Sequence, residues 1–485
     1  MSERKRRTRL ADLLHGLTDT GAHADLAVRG LAMDSRCLRP GDLFVALAGA
    51  SGHGFDHLEA ALAAGAVAVL CESQDQAPAG GAMPVIGVPE LRKRLPELAR
   101  RLWGDPAQMD LLAVTGTNGK TSVAWLLAQA LDGAMIGTLG VGRPGEQIST
   151  GLTTPDVLSV YRALAELREV GIRTVVLEAS SHALDQERLA GLSFSTVIFT
   201  TLGHDHLDYH GDLDHYAAAK ARLFGDYASQ RQLINRDDAF GARLAERLSG
   251  SPGLVTYGCD GRASLDVTGR LGAIARTGLS GEVQLPDSLI AVRSRLLGRI
   301  NFMNLLVVVA ELDARGFDAR EIQRRVEALL PVPGRMQALA GGRVVIDYAH
   351  TPDALENVLT SLREVTPGEL WCVFGCGGDR DRAKRPLMGR IAEALADRIV
   401  LTDDNPRNEN SLAIIREIQA GMRHPNRCQV VADRAQAIAR AIRSAAAEDV
   451  VLVAGKGHEI EQVIGDRRLP FSDEQAVREA LEVAA

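Results

Sequence analysis

Glycine, lysine and threonine stand together in AVTGTNGKTSVAWLL (113–127), at a spacing that could hold a phosphate. The usual phosphate loop is G-x-x-x-x-G-K-[ST]. Gly119, Lys120 and Thr121 fit it, but position 114 is Val114 and the nearest glycine is Gly116. The loop is therefore a shortened cradle or a tight strand-to-helix turn with an N-cap threonine. Its flanks favour the cradle: 111–114 is an apolar run of strand length, and SVAWLLAQAL carries apolar residues at helical spacing. A helix starting at Lys120 would aim free N–H groups and its positive end into the turn, with the lysine as a point charge and the Thr121 hydroxyl suited to Mg²⁺.

Three further stretches carry candidate chemistry. TVVLEASSHALDQERL puts Glu178 at the end of an apolar strand, where an acid could hold Mg²⁺ opposite Thr121 or simply be a solvated carboxylate. GHDHLDYHGD nearly matches the H-x-H-x-D-H pattern of zinc hydrolases through His204, His206 and Asp208, but Tyr209 follows and His210 comes one place late. A zinc hydrolase stays as an alternative, because a displaced imidazole changes the coordination geometry. NRDD (235–238) resembles the N-K-x-D guanine reader with arginine for lysine. A GTP-hydrolysing switch protein is the alternative from another class, and nucleotide preference separates it from an enzyme that makes a product.

The elements that must position these residues come from the chain as a whole. At 485 residues about three domains are expected. A net charge of −7 argues against nucleic acid as the main partner. The basic start MSERKRRTRL reads as a frayed terminus without a signal-peptide apolar segment after it. LEAALAAGAVAVLC (58–71) is too short to span a bilayer and contains Glu59, so it reads as helix, Gly65 turn and strand. No membrane partner and a cytoplasmic location are expected. Six cysteines are scattered, and only Cys372 and Cys376 are close, at a spacing that fits neither a zinc knuckle nor a thioredoxin motif; reduced thiols are expected.

Punctuation places domain boundaries near Asp110, after GDPAQM, and near Pro333, inside LLPVPGRMQ. The expected domains are 1–109, 110–332 and 333–485. The third alternates strand and helix from RVVIDYAH to DVVLVAG, an α/β pattern of parallel strands with crossover helices. In such sheets ligands sit outside the carboxyl ends of the strands, here the loops GCGGDRDRAKR, DDNPRNEN and GKGHE. GCGGDR is not a dinucleotide fingerprint, since Arg380 takes the place of the third glycine.

Together TGTNGKT, LEASSHAL, HDHLDYHGD followed by YAAAK, GRINFMN, RVVIDYAHTPD, GCGGDRDRAKRPLMG, DDNPR and GKGHE resemble the Mur ligases of peptidoglycan synthesis, whose phosphate loop has the shortened form. The resemblance is strongest to the branch that adds meso-diaminopimelate to UDP-N-acetylmuramoyl-L-alanyl-D-glutamate. It implies an α/β protein of three domains: one for the UDP end of the substrate, a central P-loop NTPase-like domain with a parallel sheet for ATP and its metals, and a C-terminal Rossmann-like domain for the incoming amino acid. A monomer acting on these small molecules is expected.

The resemblance also assigns residues. It implies Met33, Ser35, Ala50, Ser51 and Gly52 at the uridine diphosphate, and Thr153, Thr154, Ser180, Gln186 and Arg188 at the muramoyl dipeptide, with Leu152 where relatives often carry a polar residue. Gly116, Thr117, Asn118, Gly119, Lys120, Thr121 and Ser122 cradle ATP, Asn301 and Asn304 lie at its adenine end, and Arg335, Asp347 and His350 close over it. Thr121, Glu178, His206 and Lys220 hold Mg²⁺. DHYAAAKARLF reads as an amphipathic helix on which spacing alone makes Lys220 a solvated cation; the resemblance instead implies a carbamate, formed with carbon dioxide, as an oxygen ligand beside His206. Lys120, Lys220, His206 and Glu178 are the implied catalytic set. Arg380, Asp404, Asn405, Pro406, Arg407, Gly455 and Glu459 receive the diaminopimelate, with Arg407 pairing its distal carboxylate.

Overall fold

The computed structural model describes residues 7–49, 52–73, 83–259 and 265–484. The chain forms two compact units interleaved in sequence: Met1–Thr115 with Asp132–Ile198 and Asp214–Arg231, and Gly116–Leu131 with Phe199–Leu213 and Gln232–Ala485. Among the described residues no helix is long and apolar enough to cross a membrane. All six cysteines are free thiols.

In the first unit the strands Gly30–Ala32, Asp42–Val45, Ala68–Cys71 and Val85–Gly87 form a wholly parallel sheet. Ala68–Cys71 is buried at every position, the continuous apolar run that a parallel sheet covered on both faces demands. The stretch read as helix, turn and strand is that: helix Leu58–Ala63, Gly65 at φ +88°, then Ala68–Cys71. Helix Leu91–Trp103 buries Leu91, Leu95, Leu98 and Leu102, one stripe at helical spacing, against helix Val157–Glu169. Arg162 of that second helix pairs with buried Asp42 at 2.6 Å, so the one acid inside the small sheet is compensated. A second group of strands runs in the order Gly140–Gly142, Ala134–Gly137, Thr174–Glu178, Asp110–Thr115, Phe194–Phe199. Asp110–Thr115 and Ala134–Gly137 flank Thr174–Glu178 in parallel, and Gly140–Gly142 adds an antiparallel edge.

In the second unit Ser229–Asn235, Leu254–Gly258 and Val267–Ala275 pair in parallel, and Gly278–Gln284 and Leu289–Ser294 continue as an antiparallel meander. The first unit's strands are thus parallel around the phosphate-loop strand with an antiparallel edge, and the second unit's strands end antiparallel. Helix Lys120–Ala130 is buried nearly all round and packs on helix Gly298–Ala314. Helix Ala319–Ala328 ends just before the punctuated segment, which Trp125 and Gln129 anchor by donating to Leu330 O at 3.3 and 3.1 Å.

The C-terminal part of this unit is a six-stranded sheet ordered Gln337–Leu339, Val344–Asp347, Val450–Ala454, Leu370–Phe374, Arg398–Leu401, Cys428–Val430. Only the first strand is antiparallel. One face packs on helices Pro352–Arg363, Lys384–Leu395 and Ser411–Gln419, the other on Arg434–Ser444 and Asp473–Ala484. The sheet is covered by helices on both faces, as the alternation in sequence requires.

Candidate functional site

Strand Asp110–Thr115 leads into the turn at 116–119 and helix Lys120–Ala130. Gly116 lies at φ +149°, and a Cβ there would fall against Thr200 Oγ1 and 3.0 Å from Thr201 N. The turn is stitched to the segment after strand Phe194–Phe199: Thr117 N donates to Thr201 O (2.6 Å), Thr200 Oγ1 to Asn118 O (2.6 Å), and Gly203 N to Thr117 Oγ1 (2.8 Å). Lys120 Nζ arches over the turn onto Gly116 O (2.8 Å) and Thr117 O (3.0 Å). Thr121 and Ser122 are buried in the first helical turn. Asn304 Oδ1 lies 3.0 Å from where a Gly119 Cβ would be; its amide donates to Asn301 Oδ1 (3.1 Å), and Asn301 donates to Leu297 O (2.9 Å). The two asparagines are a buried stack beside the turn itself.

In the same unit Gly334, at φ +66°, packs backbone-to-backbone on Gly457, at φ +55°. That approach brings Arg335 next to the GKGHE loop. The Arg335 guanidinium lies 4.4 Å from the Tyr348 ring centroid, and Asp347 Oδ2 accepts Met336 N at 2.7 Å. Burial raises the Asp347 pKa. His350 Nδ1 is 2.8 Å from Tyr348 O. His458 is pushed down to about 4 by burial first and by the Arg335 cation second.

The loops at the carboxyl ends of Leu370–Phe374, Arg398–Leu401 and Val450–Ala454 converge. Gly378 N donates to Asn405 O (2.9 Å), Arg407 Nη1 to Gly378 O (2.7 Å), and Asn405 Nδ2 to Glu459 Oε2 (2.8 Å). A Cβ on Gly455 would stand 2.6 Å from Asp404 Oδ2, so the loop can pass this buried acid only as glycine. Pro406 is buried, and Arg407 sits at φ +51° with its N–H on Val463 O (3.0 Å) and its carbonyl on Gly465 N (2.7 Å). Arg380 is exposed beside the cluster, donating to Asp379 O at 3.2 Å.

The first unit carries a second cluster. Glu178 is fully buried rather than solvated: Oε1 accepts Thr138 N (2.8 Å) and Oε2 accepts Thr138 Oγ1 (3.1 Å). With its proton on the carboxylate, Thr138 Oγ1 can accept from Thr153 Oγ1, 3.1 Å away. Thr154 Oγ1 donates to Glu178 O (2.6 Å), Ser180 N to Thr154 Oγ1 (3.2 Å), and Arg188 Nη1 to Thr154 O (2.7 Å). Gln186 Oε1 accepts Arg188 Nη2 at 2.7 Å. Thr153, Thr154, Ser180, Gln186 and Arg188 are thus linked to Glu178 through Thr138 and through the Glu178 main-chain carbonyl, while Leu152 is exposed. Lys220, on helix Leu213–Gly225, is 1% exposed with its Nζ 4.3 Å from the Tyr216 ring centroid, so the solvated-cation reading from spacing is overturned. Met33 and Ser35 follow strand Gly30–Ala32, and Gly52 follows Asp42–Val45, both at carboxyl ends of the small parallel sheet. Ala50 and Ser51 lie outside the described residues.

With this geometry in view, three family matches tile the chain: "Mur ligase family, catalytic domain" over residues 27–103, "Mur ligase middle domain" over 114–312, and "Mur ligase, glutamate ligase domain" over 334–457. The chain belongs to the Mur ligase family. It is 48% identical to the UDP-N-acetylmuramoyl-L-alanyl-D-glutamate--2,6-diaminopimelate ligase of Alkalilimnicola ehrlichii, covering 98% of each chain. It is also 48% identical to the ligase of the same name from Pseudomonas aeruginosa, covering 94% of this chain and 96% of that one. A solved structure of a ligase with that name matches at TM-score 0.68 and 34% identity over 99% of both chains. The MurF ligase of Thermotoga maritima shares the fold at TM-score 0.65 and 18% identity, over 94% of this chain and 98% of that one.

The alternatives do not match this Mur ligase's geometry. Asn235 and Asp238 of NRDD build their own turn: Asn235 Nδ2 donates to Thr200 O (2.8 Å), and Asp238 caps helix Ala239–Arg247 through Phe240 N and Gly241 N. Among the described residues no three His, Cys, Asp or Glu side chains cluster as a metal site. His206 sits at φ +52° in its loop, 3.4 Å from Asp205. The glycine-built turn with its lysine, helix start and Thr121 fits a phosphate group with its Mg²⁺.

Sequence reasoning missed three supports. Thr138, which grips Glu178, sits at the end of strand Ala134–Gly137, where GTLG was a readable turn. Arg385, with a fully buried side chain, ties Glu409, Glu417 and Gly377 O behind the Arg380 loop. Lys456, inside GKGHE, is the third: its side chain is completely buried, which no neighbour in sequence signals.

Proposed function

We propose that this Mur ligase adds meso-diaminopimelate to the D-glutamate of UDP-N-acetylmuramoyl-L-alanyl-D-glutamate, driven by ATP through an acyl phosphate, in peptidoglycan precursor synthesis. The observation that carries it is 48% identity along nearly the whole chain to relatives bearing that name. The convergence of Arg407, Asn405 and Glu459 at the carboxyl ends of the C-terminal sheet supports the choice of amino acid. The proposed domains are 1–109, 110–332 and 333–485, acting in the cytoplasm as a monomer.

Met33, Ser35, Ala50, Ser51 and Gly52 take the uridine diphosphate, and Thr153, Thr154, Ser180, Gln186 and Arg188 take the dipeptide. The turn 116–122, Asn301, Asn304, Arg335, Asp347 and His350 take ATP. Lys120 and the turn's N–H groups offset γ-phosphate charge while the D-glutamyl carboxylate attacks it and ADP leaves, giving the acyl phosphate, so positioning and electrostatics supply most of the acceleration. Bound Mg²⁺ supplies further charge neutralisation, with Thr121, Glu178, His206 and a carbamate on Lys220 as its proposed holders. Arg380, Asp404, Asn405, Pro406, Arg407, Gly455 and Glu459 orient diaminopimelate so that its amino group attacks the acyl phosphate and phosphate leaves. Exclusion of water protects the intermediate from hydrolysis.

The test is phosphate release from ATP with and without the UDP-muramoyl dipeptide and diaminopimelate. Release requiring both, with formation of the tripeptide, is expected. GTP hydrolysis that ignores both compounds would overturn the reading.

A further inference from the structure

We propose, on the reading that the three C-terminal loops receive the amino acid, that Lys456 is a positioning residue that fixes the Asn405 amide and the Glu459 carboxylate in the orientation the incoming amino acid meets. The Lys456 side chain is completely buried, and Nζ donates to Asn405 Oδ1 (3.0 Å), Glu459 Oε2 (2.9 Å) and Glu461 O (2.7 Å). An ammonium has three N–H donors and no acceptor, so these contacts use it fully.

Each contact has a consequence for the site. Asn405 Oδ1 also accepts Val463 N at 2.9 Å, so the carbonyl faces two donors and the Nδ2 group is turned onto Glu459 Oε2 (2.8 Å). A flipped amide would press its own N–H groups against the ammonium and Val463 N–H. Glu459 Oε2 is thereby taken twice, while the side chain stays 32% exposed, so the carboxylate is held in place and can still accept from a ligand ammonium. Burial alone opposes ionisation of Glu459, but the Lys456 cation and the Asn405 amide outweigh it and hold its pKa below the usual value. The third contact, to Glu461 O, anchors the start of the hairpin Glu461–Ile464 and Arg467–Pro470. That hairpin brackets Arg407 through Val463 O and Gly465 N. One buried cation therefore joins Asn405 and Glu459, which can meet an ammonium of the ligand, to the hairpin that holds Arg407, proposed for its distal carboxylate.

The test uses the full-length enzyme with Lys456→Met and Lys456→Arg, measuring KM for ATP, the UDP-muramoyl dipeptide and diaminopimelate, with melting temperature alongside. Lys456→Met is expected to raise the KM for diaminopimelate at least about thirtyfold, the scale for truncating one partner of a buried charge pair, with the other two constants unchanged. Lys456→Arg keeps the charge and donors and should recover most of that loss, which also covers the case in which Lys456→Met does not fold. Equal KM values for diaminopimelate in all three proteins, or a parallel rise for all three substrates, overturn the proposal. A wild type that works with another amino acid overturns only the diaminopimelate reading, and the same comparison is then made with that amino acid.

Discussion

At the scale of single residues, two lysines have opposite environments. Lys120 is half-buried and donates to two carbonyls of its own turn, and removing it deletes a cation at the proposed phosphate position. Lys120→Ala should lower turnover by about 10²–10³-fold, as loss of one preorganised electrostatic donor does elsewhere, with the melting curve unchanged. Near-normal phosphate release by the folded variant would sink the cradle. Lys220 is buried under Tyr216, where an ammonium beside bound Mg²⁺ would repel it and a carbamate would not. Enzyme equilibrated with ¹³C-bicarbonate should show a carbamate carbon resonance that disappears in Lys220→Ala together with activity. A wild-type spectrum without that resonance, under conditions of full activity, refutes the modification.

At the scale of elements, the turn and the hairpin decide geometry that no single side chain holds. Gly116 leaves no room for a methyl group between the turn and Thr200, and its backbone is in the left-handed half of φ space. Gly116→Ala must therefore shift the turn off Thr201, and ATP binding measured by calorimetry should weaken at least about tenfold while the strand and helix on either side survive. Unchanged affinity would mean that the turn does not contact the nucleotide. The DDNPR turn is held by the hairpin, which fixes Arg407 in a conformation that non-glycine residues rarely take. L-Lysine lacks the distal carboxylate, so it would leave this arginine unpaired at a penalty of about 2–5 kcal/mol. A competition assay should show strong preference for diaminopimelate in the wild type and loss of that preference in Arg407→Ala. Equal use of lysine by the wild type defeats the specificity assignment and leaves the ligase assignment standing.

At the scale of the whole molecule, acid should unfold the protein through groups that the fold keeps unprotonated. His458 has a folded pKa of about 4 because burial and Arg335 disfavour its cation, against about 6.5 in the unfolded chain. Between these values the unfolded state binds more protons, so the contribution of His458 to stability is full above about pH 6.5 and is lost as pH falls to about 4. Urea midpoints measured from pH 7 to 5 should fall, and His458→Gln should flatten that slope. A variant with the wild-type slope would show that this histidine is not the group responsible.

What the sequence alone determined is what depends on neighbours along the chain. The strand Asp110–Thr115, the turn and the helix from Lys120 were legible because apolar spacing and glycine punctuation are local signals. The alternation after 333 likewise revealed a helix-covered parallel sheet and its three carboxyl-end loops. The antiparallel strands Gly140–Gly142, Gly278–Gln284 and Leu289–Ser294 were not foreseen, since pairing direction depends on which edges meet in space. Burial of charged side chains was also hidden. Nothing in YAAAK separates a buried Lys220 from an exposed one, nor does GKGHE reveal that Lys456 faces Asn405, 51 residues away in sequence. Those facts come from tertiary packing, because a cation can be buried only where distant segments supply acceptors or a ring face to replace its water.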